Sequence, residues 1–165
     1  MALLLDRLPF HVWTDNTRNP PVQHWSIRLP VALTETASAA PPSNTPTHDW
    51  IFDTGTNADA FAWRHHLESA GLDPDLNLVG FIKATSSLGA STPAPVRDAE
   101  VWLFSNVPNV PPYPLELDEG IAFLDTKRIP DPQLHRPLLG MRVFLRAGLR
   151  VELDFAGRTI SLWNP

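Results

Sequence analysis

Apolar and polar positions alternate along much of the chain, which predicts a protein built mostly from strands. Phe10 and Val12 alternate within residues 8–13, a possible first strand. In residues 24–33, Trp25, Ile27, Leu29 and Val31 share one face of a second, and Pro30 inside it predicts an edge or a bulge because proline cannot donate to a ladder. Residues 79–104 predict two strands around a tip at 85–91, ending in a buried run at 101–104. Residues 120–124 predict another strand. Near the end, Leu149, Val151, Leu153 and Phe155 alternate with Arg150, Glu152 and Asp154. Ala156 and Gly157 make a turn, after which Ile160 and Leu162 continue the apolar face.

Two stretches depart from period two. In residues 57–70, Ala58, Phe61, Ala62, Leu67 and Ala70 approximate one helical face, with Gly71 placed to cap it. A shorter helix is expected over residues 142–147. Between the periodic segments lie turn and loop sequences: Asp, Asn and Pro at 15–21, a proline-rich stretch at 105–114 and another leading to Pro137. Residues 34–48, rich in Ala, Ser, Thr and Pro, form a flexible loop inserted within one domain spanning 1–165, since strands are predicted on both sides.

Composition narrows the class. A chain of 165 residues is long enough to bury a core without covalent staples. Its eighteen prolines are about twice the usual share of roughly 5%, which again favours strands and long loops over helices. A net charge of −5 without a basic cluster argues against nucleic acid or an anionic membrane as partner. The absence of cysteine excludes disulfides and thiolate metal sites. The opening Met1-Ala2-Leu3-Leu4-Leu5 is stopped by Asp6 and Arg7, too short for a signal peptide or a membrane span, so a cytoplasmic location is expected.

The chemistry concentrates at Trp50-Ile51-Phe52-Asp53-Thr54-Gly55-Thr56. A bulky apolar run delivers a carboxylate into a tight turn, where desolvation disfavours its ionised form. Gly55 permits a close backbone approach or a positive φ, and Thr54 can hydrogen-bond neighbouring backbone and hold the turn. This string resembles the active-site loop of aspartic proteases, particularly the small retropepsin-like ones. A second stretch, Pro137-Leu138-Leu139-Gly140-Met141 followed by a short helix and by Val151-Glu152-Leu153-Asp154-Phe155, is similar to the closing part of the same pattern. The resemblance spans roughly residues 45–163.

That resemblance implies a mainly β, closed-barrel-like lobe with one or two short helices. It also implies a homodimer that hydrolyses peptide bonds in a peptide or protein substrate without a cofactor or metal. One suitable carboxylate per chain requires that Asp53 meet its mate across a two-fold axis. Two carboxylates about 3 Å apart share a proton, so one activates water while the other donates to the scissile carbonyl. Carried over by position, Asp53 is the catalytic acid and base, Thr54 braces the two loops across the dimer, Gly55 admits the substrate backbone, and Thr56 completes the loop. Leu88 and Gly89 would belong to a flap over the substrate, unless residues 85–91 are simply an exposed Ser-rich hairpin. Leu139 and Gly140 would support the loop from behind. Residues 159–163 could join the N-terminal residues in a sheet shared between subunits.

The chain also departs from the family. Viral members often pair an Arg after the second glycine with an Asp near the catalytic loop. Met141 and Asn57 stand at those places here, so that ion pair is expected to be absent, and Arg142 stands where many cellular members have Asp. Phe123-Leu124-Asp125-Thr126-Lys127 echoes the Asp53 string, but Lys127 replaces the glycine, so Asp125 is rejected as a second catalytic carboxylate. His65, His66 and Glu68 read as a solvated helix face, since adjacent residues point about 100° apart and no third metal ligand is evident. Ser86, Ser87 and Ser91 lack a nucleophile elbow and a patterned base. The competing function is a catalytically inactive domain of the same fold serving dimerisation or peptide binding.

Overall fold

A computed structural model describes residues 1–56, 58–85, 91–124 and 136–165. The protein is mainly β, with fourteen strands and two six-residue helices among these residues. Strands β1 (Leu3–Pro9), β14 (Thr159–Trp163) and β13 (Arg150–Asp154) form one antiparallel sheet in that spatial order. Strands β2 (His11–Asp15) and β3 (Val22–Ser26) form a hairpin. The remaining nine lie in the order β10 (Tyr113–Leu115), β9 (Glu100–Leu103), β4 (Arg28–Thr34), β5 (His48–Asp53), β12 (Leu138–Gly140), β6 (Ala60–Trp63), β11 (Ile121–Leu124), β8 (Ser91–Arg97) and β7 (Leu78–Thr85). Among the described residues β10 and β7 do not pair with each other. The large sheet is open, and the expected closed barrel is not formed.

Burial follows the pleat. Trp50 and Phe52 of β5, Leu29 and Val31 of β4, and Ala60 and Ala62 of β6 point into one core with Leu139, Val143, Phe144 and Ile121. Their neighbours Ile51, Asp53, Phe61 and Trp63 lie on the other, partly exposed face. Helix α2 (Met141–Arg146) buries Val143 and Phe144 against this core, and α1 (Arg64–Ser69) buries Leu67. No helix among the described residues is long and apolar enough to cross a membrane.

Several expectations are revised. The segment read as one helix over 57–70 is helical only from Arg64. Ala60–Trp63 is a strand because it pairs with β12 on one side and β11 on the other. Gly71, at φ +80, ends α1 as expected, donating to the Glu68 carbonyl. The first strand begins at Leu3 and not at Leu8, and the run 24–33 breaks at Ile27 into β3 and β4. Pro30 lies on an interior strand rather than an edge. Its carbonyl accepts from Phe104, just past the last residue of β9, so the missing proline donor faces the end of that neighbour. Phe155 is 75% exposed, packing edge-on to Phe10, because the chain turns there. β14 pairs with β1 and β13 of its own chain. Residues 34–48 connect antiparallel neighbours β4 and β5 through two hydrogen-bonded turns.

The decisive connection is β12. It runs parallel to β5 and antiparallel to β6, so it is wedged between two strands consecutive in the chain. Its register sets Gly140 beside Asp53. A Cβ on Gly140 would lie 2.1 Å from the Ala58 carbonyl oxygen and 3.1 Å from the Thr56 methyl. Gly140→Ala is therefore expected to destabilise the fold by roughly 1–3 kcal/mol through overpacking, measured by urea unfolding. Gly71→Ala, a strained position with no neighbour within 4 Å, serves as the comparison.

Candidate active site

Asp53 is the last residue of β5. Its partly buried carboxylate projects from the C-terminal end of a strand whose other side chains, Trp50 and Phe52, fill the core. Phe52 packs edge-on against Phe144 of α2, with centroids 4.8 Å apart, which fixes the strand end to the helix. The Gly55 amide donates to Asp53 Oδ1 at 2.8 Å, closing the turn. A Cβ on Gly55 would meet that oxygen at 3.3 Å, and Gly55 is not among the positive-φ residues; of the two reasons for a glycine there, close approach is the one realised. The turn is held by the Asp53–Gly55 bond, whereas Thr54 was expected to hold it. Thr54 is exposed and makes no side-chain hydrogen bond among the described residues. Thr56 Oγ1 accepts from Ala58 N at 3.3 Å while its methyl packs toward Gly140.

Asp53, Gly55, Thr56, Leu139 and Gly140 are thus brought together, and Leu139 is wholly buried behind the loop. No cation lies within ion-pair distance of Asp53 among the described residues. Leu88, Gly89, Ser86, Ser87, Asn57 and Asp125 lie outside the described residues. Ser91 begins β8, which pairs with β7 along its length but with β11 only at Val96 and Arg97. Pro93 and Pro95 lie in the part of β8 that pairs with β7 alone.

Sequence reasoning missed the polar junction beneath the loop. Asp59 is completely buried, and its carboxylate accepts from both Arg146 guanidinium nitrogens at 3.1 and 3.2 Å and from the Asp118 amide at 2.8 Å. Burial alone would push this carboxyl up. The Arg146 bonds and the Asp118 and Glu119 amides overcome it and hold the group below the usual carboxylate range. Arg146 also reaches Asp118 at 2.7 Å and the Glu116 carbonyl at 3.0 Å. The Asp59 carbonyl, in turn, accepts from Gly140 N at 2.8 Å. An ion pair between Asp59 and Arg146 therefore joins the segment after the Asp53 turn to α2. The only sequence signal was an acid among alanines ahead of a strand and two arginines one turn apart. Arg142 makes an exposed contact with Glu119 at 3.2 Å.

At the opposite end of β6, the His66 ring accepts from Trp63 N at 3.2 Å, so this histidine is a helix-start acceptor and not a solvated face residue. Burial, then His65, Arg136 and His48, push its pKa down to about 3. Among the described residues no three His, Asp or Glu side chains converge as metal ligands. Comparison of the chain with protein-family models, with curated proteins and with solved structures finds no match.

Two outcomes follow. Arg146→Met leaves the buried Asp59 uncompensated and should cost roughly 3 kcal/mol in urea unfolding, the low end for a buried pair because the Arg146 side chain is 23% exposed. For His66, the folded protein disfavours the proton that the unfolded chain takes up near pH 6.5, so stability falls as pH drops from about 6.5 towards 3. The melting temperature of His66→Asn should fall less over that interval than that of the parent.

Proposed function

We propose that the protein is an aspartic endopeptidase of the retropepsin-like type, active as a homodimer. The observation that carries this reading is the placement of Asp53. Its carboxylate stands at the end of a buried strand, in a turn pinned by β12 and Gly140, partly exposed and without a neighbouring cation among the described residues. A carboxylate fixed in position yet left unpaired is arranged to meet something outside its own chain, and the exposed Thr54 and Gly55 surround it with surface for a second copy and a peptide.

In the dimer, two Asp53 side chains share one proton because both cannot ionise at close range. The ionised carboxylate takes a proton from water as that water attacks the scissile carbonyl carbon. The protonated one donates to the carbonyl oxygen, giving a tetrahedral diol. Collapse returns a proton to the amine as the C–N bond breaks. No group is covalently attached to the enzyme, and the chain's own residues suffice for the acid and base.

The test is cleavage of a peptide library across pH 3 to 8 together with sedimentation at micromolar concentration. The wild type should sediment as a dimer and give a bell-shaped pH profile. Asp53→Asn should retain fold and dimer and lose activity at least a thousandfold. A dimer that binds peptides but cleaves none would favour the inactive-module reading, and a monomer throughout would remove the dyad altogether.

A further inference from the structure

The two outer strands of the three-stranded sheet differ in how they meet solvent. The register of β1 with β14 is irregular between Leu3 and Leu5 and between Leu5 and Leu8. Asn106 takes both backbone groups of Asp6 in that stretch, accepting from its N–H and donating to its carbonyl, each at 2.8 Å. Irregularities and side-chain caps of this kind keep an edge from recruiting another strand. β13 carries neither among the described residues. It pairs with β14 without a register shift from Arg150 to Asp154 and ends the sheet.

The backbone groups of successive strand residues point to alternate sides. Asn164 N donates to the Ala2 carbonyl at 2.9 Å, and the Arg158 carbonyl accepts from Phe10 N at 2.8 Å. Even-numbered positions along β14 therefore serve β1, and Thr159, Ser161 and Trp163 serve β13, where they meet Asp154, Glu152 and Arg150. Val151 and Leu153 are left to direct N–H and C=O outward, where no backbone partner takes them among the described residues. Leu149 N is already committed to the Phe144 carbonyl at 3.0 Å, so the free edge begins at Val151. The side chains of Val151 and Leu153 are only partly buried at the rim of the core, and Phe155 beyond them is exposed.

We propose that β13 pairs antiparallel with β13 of a second copy about a two-fold axis through Glu152, joining two three-stranded sheets into one. An axis normal to the sheet keeps equivalent faces on one side, so the outward residues must meet outward residues. Centred on Val151, the register would need the Leu149 N–H, which is taken. Centred on Leu153, it would set Glu152 against Asp154. Centred on Glu152, Val151 meets Leu153 of the second copy on both sides of the axis, and each such pair exchanges two N–H···O bonds. Arg150 then stands opposite Asp154 of the second copy, again twice, and opposite charges directly across a ladder attract. The unfavourable contact is Glu152 against its own copy, offset by Arg150, which lies 3.2 Å from Glu152 within each chain. The pairing rests on β13 and not on the peptidase reading: an inactive chain would dimerise here all the same.

The experiment combines sedimentation over a range of micromolar concentrations with amide hydrogen exchange followed by NMR. In the dimer the amides of Val151 and Leu153 should exchange slowly and become fast on dilution to monomer. That of Glu152, held by β14, should stay slow throughout. Arg150→Glu and, separately, Asp154→Lys turn both attractive pairs repulsive, and each should raise the dimer dissociation constant roughly tenfold or more. An equimolar mixture of the two variants should restore dimerisation, because each chain supplies the charge the other lacks. Glu152→Gln removes the repulsion at the axis and should tighten the dimer. Arg18→Glu, the same charge change in the exposed turn after β2, should leave it unchanged. Asp154 also accepts from Gly157 N at 2.8 Å, so if Asp154→Lys does not fold, Arg150→Glu, Glu152→Gln and the amide pattern decide. A monomer at every concentration overturns the pairing. So does a dimer indifferent to Arg150→Glu, or one whose Val151 and Leu153 amides exchange fast; either of these leaves the Asp53 dyad as it stands.

Discussion

The architecture depends on one steric fact: a strand from late in the chain must fit between two strands that follow each other near its middle. β12 is only three residues long, yet it supplies pairing partners to both β5 and β6. It can do so because Gly140 has no side chain. The Ala58 carbonyl occupies the space where a Cβ would be, and the Asp59 carbonyl takes the Gly140 amide. Everything in the candidate site is referred to this wedge. Asp53 ends the strand on one side, Thr56 packs toward the same glycine, and the helix that follows directly, α2, presents Phe144 to Phe52.

Beneath the wedge, a buried charge is used as a joint. Asp59 draws together its own segment, α2 through Arg146, and the stretch before β11 through the Asp118 and Glu119 amides. An isolated carboxylate in such a place would be costly. With a bidentate arginine and two amides it becomes a directional tie among three parts of the chain. It lies six residues after Asp53 in the chain, close enough that a change in α2 would be felt by the loop.

The two ends of β5 show opposite electrostatics. At the C-terminal end a carboxylate stands without a cation among the described residues. At the other, the Arg28 side chain is largely buried and lies 3.8 Å from the half-exposed Asp49. The low pKa of His66 adds a third constraint, because it ties stability to a pH range overlapping that in which an acid peptidase would work.

The sequence by itself determined what depends on near neighbours. Apolar runs located the strands around Trp50, Val101 and Ile121 and alternation the one around Val151, the short helix after Gly140 was legible, and the tight turn at Asp53 followed from Thr-Gly. What depended on distant partners was not legible. Ala60 to Trp63 carries a pattern compatible with a helix, and only the ladders from β12 and β11 make it a strand. Whether the sheet closes is fixed by which strands become its ends, and no local pattern encodes that. The Asp59–Arg146 tie joins positions far apart in the chain. Local propensity is short-ranged, whereas pairing register and charge contacts are properties of the assembled sheet, so only the tertiary structure could decide them.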